Sequence, residues 1–162
     1  MTHLIATFFY VGHMRPAPGT WGSLAALPAA WVIYVLSGPW GLVLGVLVSA
    51  GLGYWATVVE TRGKADHDPS EIVIDEVAGQ WIALLPIAFG AAANGVAITA
   101  LWPGWIAAFV FFRLFDITKP GPVGWADRKD DAVGVMLDDL IAGVMAAIVV
   151  IMLAGLYHVV LV

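Results

Sequence analysis

Apolar residues fill five long stretches of the chain, and polar residues collect between them. The apolar stretches run roughly from Trp21 to Ser37, Trp40 to Val59, Asp75 to Ala93, Trp102 to just before Pro120, and Asp138 to about Leu161. Each approaches the ~20 residues that a helix of about 1.5 Å rise per residue needs to cross ~30 Å of hydrocarbon. This pattern predicts an all-α fold: a polytopic integral membrane bundle of about five transmembrane helices, occupying residues 1–162 as one domain. Leu4 to Val11 is apolar but too short to span, and reads as an interfacial N-terminal segment.

The breaks between the stretches have their own chemistry. Two Pro and two Gly in Arg15-Pro16-Ala17-Pro18-Gly19-Thr20-Trp21-Gly22-Ser23 predict irregular backbone, with Thr20 or Ser23 capping the first crossing. Pro28 is expected to bend that crossing. Gly38-Pro39 reads as a tight, uncharged turn, and the Gly-rich second crossing suits close helix contact in lipid. Asn94-Gly95 ends the third crossing. Val96 to Leu101 fits a short loop or a helix start equally. Trp102-Pro103 opens the fourth crossing, because Pro fits the first helical turn. The polar segments are Glu60 to Glu71 and Gly121 to Leu137.

Composition narrows the class. The chain is 61% hydrophobic and 12% charged, against about half apolar in soluble domains. A soluble fold is excluded, and no length remains for a separate soluble domain. The absence of Cys removes disulfides and thiol catalysis. Few Lys and Arg and no basic patch speak against a nucleic-acid partner. The N-terminus has no basic region ahead of its apolar run, so no cleaved signal peptide is expected.

Five crossings put every Lys, Arg, Asp and Glu on one side of the membrane. The positive-inside bias makes that side cytoplasmic, with the C-terminus outside. The eight Trp read mostly as interfacial anchors.

Avoidance of charge translocation explains the Lys and Arg, but not the pairing of acids at helix starts. Asp75-Glu76 and Asp138-Asp139 each stand ahead of an apolar run, with Gly79 and Gly143 a turn further on. Two like charges 4 Å apart cost about 4 kcal/mol at an effective dielectric near 20. A helix N-terminus offsets only about 0.3–1 kcal/mol per acid. Four carboxylates in one pocket therefore require protons or a cation, and a hard cation with oxygen ligands is the simplest answer. Mg2+ is the default where the substrate carries phosphate. The bland alternative is an acidic rim of helix caps.

Arg113, Asp116 and Lys119 share one helix face at i, i+3 and i+6. Arg113 and Asp116 can simply pair. Alternatively, Asp116 joins the metal and the two bases hold phosphate. His67 is a candidate general acid or ligand in a loop. Asp127-Arg128, Asp130 and Asp131 read as solvated.

Four stretches together resemble the bacterial phosphatidylglycerophosphatase A family. They are Ala17-Pro18-Gly19-Thr20-Trp21-Gly22-Ser23-Leu24, Ile72-Val73-Ile74-Asp75-Glu76-Val77-Ala78-Gly79, Phe112-Arg113-Leu114-Phe115-Asp116-Ile117-Thr118-Lys119-Pro120 and Gly134-Val135-Met136-Leu137-Asp138-Asp139-Leu140-Ile141-Ala142-Gly143. The resemblance spans about residues 4–155 in motif order. It departs from the family pattern at Gly121, where an aromatic is usual, and at Asp131-Ala132, where a Gly pair is usual.

The resemblance implies a Mg2+-dependent phosphatase of the bacterial inner membrane that converts phosphatidylglycerol phosphate to phosphatidylglycerol at the cytoplasmic face. Its implied metal ligands are Asp75, Glu76, Asp116, Asp138 and Asp139, with Asp75, Asp116 and Asp139 catalytic. Arg113, Lys119, Thr20 and Arg128 are expected to bind substrate. The partners expected are the phospholipid substrate and the membrane. The rival reading is a divalent-cation transporter or channel subunit that uses the same acids.

Overall fold

The computed structural model describes residues 1–64, 69–129 and 131–161, without the side chains of 158, 160 and 161. The expectations for His67 and Asp130 lie outside the described residues. Among the described residues the chain is helical, without strands. Its helices are α1 (Thr2–Ala6), α2 (Pro18–Thr61), α3 (Ile74–Asn94), α4 (Trp102–Thr118), α5 (Pro122–Asp127) and α6 (Ala132–Leu161).

Among the described residues, four helices are long and apolar enough to cross a membrane, and the first, α2, is 44 residues long. Its length is not one crossing. Gly38 has φ 66° and ψ −166°, a region of backbone space open essentially only to Gly. The chain doubles back there. A straight helix would hold residues 22 and 53 about 46 Å apart. Instead, Gly22 lies against Val73 and Gly53 against the next residue, Ile74. The two halves of α2 are therefore the first two crossings, joined at the turn that Gly38-Pro39 predicted.

α3 is the central helix. In its most apolar window 56% of residues are buried, against 17–33% in the other three. Small residues let its neighbours approach, where lipid supplies no hydrophobic drive between helices. Gly143 of α6 seats on the backbone of Gly79. A Cβ at Gly104 of α4 would come within 3.1 Å of the Ile87 side chain. The Trp81 indole donates to the Ala26 carbonyl at 2.8 Å, locking α3 to the first half of α2. Trp81 is thus a core residue rather than an interfacial anchor. The N-terminal segment is tied in by the Val73 amide, which donates to the Ala6 carbonyl at 2.9 Å. Phe9 and Tyr10 remain exposed on it.

Two boundaries differ from expectation, and one left open is decided. α2 begins at Pro18 with no side-chain cap, so neither Thr20 nor Ser23 is an N-cap. Pro at the first helical position needs no capped amide, and Ser23 Oγ instead donates to the Gly19 carbonyl within the helix, at 2.9 Å. α6 begins at Ala132, six residues before Asp138. Asp131 is exposed, as expected, but it also caps α6: its carboxylate accepts from the Gly134 amide at 2.7 Å. Val96 to Leu101 resolves into a 3-10 turn, Ile98–Leu101, leading directly into α4.

Candidate active site

The charged ends of α3, α4 and α6 meet in one place. Asp75, Glu76 and Asp139 each offer a carboxylate oxygen within 4.8 Å of the others, and so do Asp116, Asp138 and Asp139. Asp139 belongs to both groups. Asp75, Asp116, Asp138 and Asp139 are all buried, and Glu76 is partly so. The expected neighbourhood of the two acid pairs is therefore present, although only Asp75-Glu76 lies in a first helical turn. Asp138-Asp139 sits in the second turn of α6, where the helix dipole helps less.

The pairs are built alike. Asp75 Oδ1 accepts from the Glu76 amide at 3.0 Å, and Asp138 Oδ1 accepts from the Asp139 amide at 2.9 Å. Each first acid is fixed by the backbone of the second, whose own carboxylate faces the cluster. Glu76 Oε2 and Asp139 Oδ1 are buried and accept no hydrogen bond from the described residues. Such an oxygen costs several kcal/mol when charged unless something positive meets it.

Two bases approach from α4. Arg113 Nη1 lies 2.6 Å from Asp116 Oδ2, and Lys119 Nζ lies 3.0 Å from Asp116 Oδ1. Lys119 also contacts Asp138 and stands 3.5 Å from Asp127. It sits just past α4 at φ 47°, a left-handed conformation that costs a non-Gly residue about 1 kcal/mol or more. Burial alone would lower the Lys119 pKa, but the charge of Asp116 and the hydrogen bond to Asp138 outweigh it and raise the pKa above the usual lysine range. Among the described residues, the five carboxylates of the cluster face two cations, Arg113 and Lys119.

The stretch Pro18 to Ser23 forms one wall. A Cβ on Gly19 would overlap Glu76 Oε1 and lie 3.2 Å from both terminal nitrogens of Arg113. Ser23 Oγ accepts from Arg113 Nη1 at 3.4 Å. The glycines predicted irregular backbone, but here they allow a helix to press its backbone against the acids.

Not every expected residue joins the cluster. Thr20 is partly buried on the first turn of α2, with no hydrogen bond to the acids or bases. Arg128 lies exposed just beyond α5 and makes no ion pair with the cluster. Three neighbours of the site escaped the sequence reading: Ser23 as the partner of Arg113, Asp127 as a partner of Lys119, and Gln80. Gln80 is fully buried one turn beyond Glu76, and neither of its amide atoms has a hydrogen-bond partner among the described residues. A Gln at i+4 from an acid, inside an apolar run, is the signal that marked it.

The sequence profile of the Phosphatidylglycerophosphatase A family matches residues 4–154. The chain belongs to that family. It is 37% identical over 148 residues to the Phosphatidylglycerophosphatase A of Escherichia coli, covering 90% of this chain and 78% of the relative. The Haemophilus influenzae Phosphatidylglycerophosphatase A is 37% identical over 150 residues, covering 91% and 85%. A Bacteroides thetaiotaomicron relative, provisionally named a phosphatidylinositol-3-phosphatase, is 35% identical over 153 residues, covering 91% and 89%. No solved structure matches the chain at a significant level. The family's match takes in all four motif stretches, and the fold brings residues from all four to the same end of the bundle.

Proposed function

We propose that this protein, as one domain over residues 1–162, is a Mg2+-dependent phosphoric monoester hydrolase. It removes the terminal phosphate of phosphatidylglycerol phosphate at the cytoplasmic face of the bacterial inner membrane. The observation that carries the reading is the pair of acid groups joined through Asp139, with Glu76 Oε2 and Asp139 Oδ1 buried and without a hydrogen bond from the described residues. An all-oxygen, net-negative donor set fits a hard divalent cation. The relatives' names supply the substrate class: each names a phosphatase acting on a phosphorylated phospholipid.

Asp75, Glu76, Asp138 and Asp139 would hold Mg2+. When bound, the ion supplies charge neutralisation at phosphate and acidifies a water. The chain's own groups do the rest. The Arg113 guanidinium offers paired donors to phosphate oxygens, and Lys119 adds a point charge. Asp116 holds both bases in place and is the carboxylate set to take the proton of the attacking water. Water adds to phosphorus as Asp116 takes its proton, the bond from phosphorus to the glycerol oxygen breaks, and that oxygen leaves with the proton returned from Asp116. Thr20, on the first turn of α2, and Arg128, exposed just beyond α5, would meet the rest of the headgroup.

A transport site would sit near the bilayer midplane. This cluster lies at helix ends, where a lipid headgroup lies.

The test is phosphate release in mixed micelles from phosphatidylglycerol phosphate, and from phosphatidylinositol 3-phosphate in parallel, with Mg2+ and with EDTA. Preferential, EDTA-sensitive release from the first supports the reading. EDTA-insensitive release overturns the ligand assignment, and preference for the second lipid overturns the substrate.

A further inference from the structure

Below the phosphate-facing groups, α2 and α4 part to form an apolar groove lined by Leu27, Pro28, Trp31, Thr99, Trp102 and Trp105. The groove and the site share two helices, α2 and α4, at different depths. Ser23, Leu27 and Trp31 follow one another at i, i+4 and i+8 along one side of α2. Arg113, Trp105 and Trp102 lie at i, i−8 and i−11 along one side of α4. At the upper end these two sides meet, with Ser23 Oγ 3.4 Å from Arg113 Nη1. At the lower end they diverge around the groove. α4 instead leans on α3 through Gly104, and the Trp105 indole is held by the Ile98 carbonyl at 3.0 Å. Pro28 places its ring on the α2 wall.

We infer that this groove seats an acyl chain of the lipid substrate and acts as its chain-length gauge. The inference rests on the lipid phosphatase reading above. Depth supports it: Ser23 to Trp31 and Arg113 to Trp105 are each eight residues, about 12 Å of helix. One leaflet's hydrocarbon is about 15 Å deep. A lipid whose phosphate reaches Arg113 therefore brings the end of its tail to the Trp residues. Bilayer lipid is as apolar as the groove, so burial of the tail gains little hydrophobic free energy. The groove works by shape, holding the tail so that the phosphate stays beside the acids.

The experiment has two arms. In the first, Leu27→Trp narrows the groove midway, and kcat/KM is measured with long-chain and six-carbon-chain forms of phosphatidylglycerol phosphate. The expected result is a fall of about tenfold in the long-to-short ratio. Trp31→Ala, which lengthens the groove, should move the preferred chain length upward. An unchanged ratio in both variants overturns the groove, as does an equal loss on both substrates with an unaltered melting temperature. In the second arm, wild-type protein is photolabelled with a phospholipid carrying a diazirine at its tail end. Labelling concentrated in residues 27–31 and 99–105 supports the groove, and even labelling of all lipid-facing helices overturns it. If wild-type protein releases no phosphate from either chain length, the phosphatase reading fails and the photolabel alone decides the groove.

Discussion

The backbone carbonyl of Gly79 occupies the space where a side chain on Gly143 would begin. The reverse contact is as close: a Cβ on Gly79 would lie 2.5 Å from the Asp139 carbonyl and 2.6 Å from the Phe112 ring. This crossing sets the distance between the two acid pairs, because Asp75-Glu76 and Asp138-Asp139 lie one turn before it on their helices. Gly143→Val should push α6 from α3 and cost about 1–3 kcal/mol of stability. Mg2+-dependent phosphate release should fall further than the melting temperature in detergent alone would explain. Retained activity in a folded Gly143→Val protein would mean the spacing is not what aligns the acids.

Asp139→Asn tests the shared carboxylate. It removes one like charge from a buried cluster while keeping the shape, so the metal-free protein should melt no lower than wild type in EDTA. Wild type should gain thermal stability on addition of millimolar Mg2+ through binding to the folded state. The variant should lose most of that gain, together with phosphate release. Thermal scans with and without Mg2+ separate this from simple unfolding, in which the EDTA melting point itself would drop.

Gly19→Ala and Ser23→Ala should differ sharply. The added methyl at position 19 meets Glu76 Oε1 and the Arg113 guanidinium, displacing a ligand and a phosphate-binding group together. Ser23→Ala loses a single long hydrogen bond at 3.4 Å, worth about 1 kcal/mol or less. Michaelis constants and the Mg2+ concentration for half-maximal activity should both rise for Gly19→Ala, and change little for Ser23→Ala. The opposite order would place the site elsewhere.

Lys119 gives the pH signature. Its folded pKa is raised above the unfolded value, which is about 10.4. The stability it contributes is therefore fully present below that value and is lost as pH rises through the folded pKa. Melting temperature in EDTA should show no Lys119-dependent change from pH 7 to 9, then fall under strongly alkaline conditions. Lys119→Met should melt lower at neutral pH by an amount equivalent to about 3–5 kcal/mol, since it leaves Asp116 and Asp138 without their shared cation. Mg2+ should recover part of that loss. A variant as stable as wild type in EDTA would remove Lys119 from the cluster's balance.

Much of this arrangement could be read in advance because membrane spans declare themselves by length and lipid forbids stray charge. Gly38-Pro39 marked a turn, and Gly79 and Gly143 stood a turn beyond the two acid pairs, where the helices now cross. The failures share one cause. Pro18 to Ser23 looked irregular because Pro and Gly usually break helices, yet here the glycines answer to Glu76, Arg113 and Val73, far away in sequence. α6 starts early because Asp131 caps it from what looked like a solvated loop, moving Asp138 and Asp139 inside the helix. Trp81 carried no local sign that it faces inward. Each miss depends on what lies opposite a residue in the folded bundle, which linear spacing does not encode.

The turn at Gly38 bears also on how the chain enters a bilayer. Residues 16–59 contain no Asp, Glu, Lys, Arg or His. The α2 hairpin can therefore be delivered tip first, with Ser37, Gly38 and Pro39 leading and no ionised group dragged across the hydrocarbon, where each would cost at least about 2.5 kcal/mol. Biosynthetic insertion of the first two crossings then needs no energy for charge translocation, and the wall that presses on Glu76 is in place before the acid-bearing helices are synthesised.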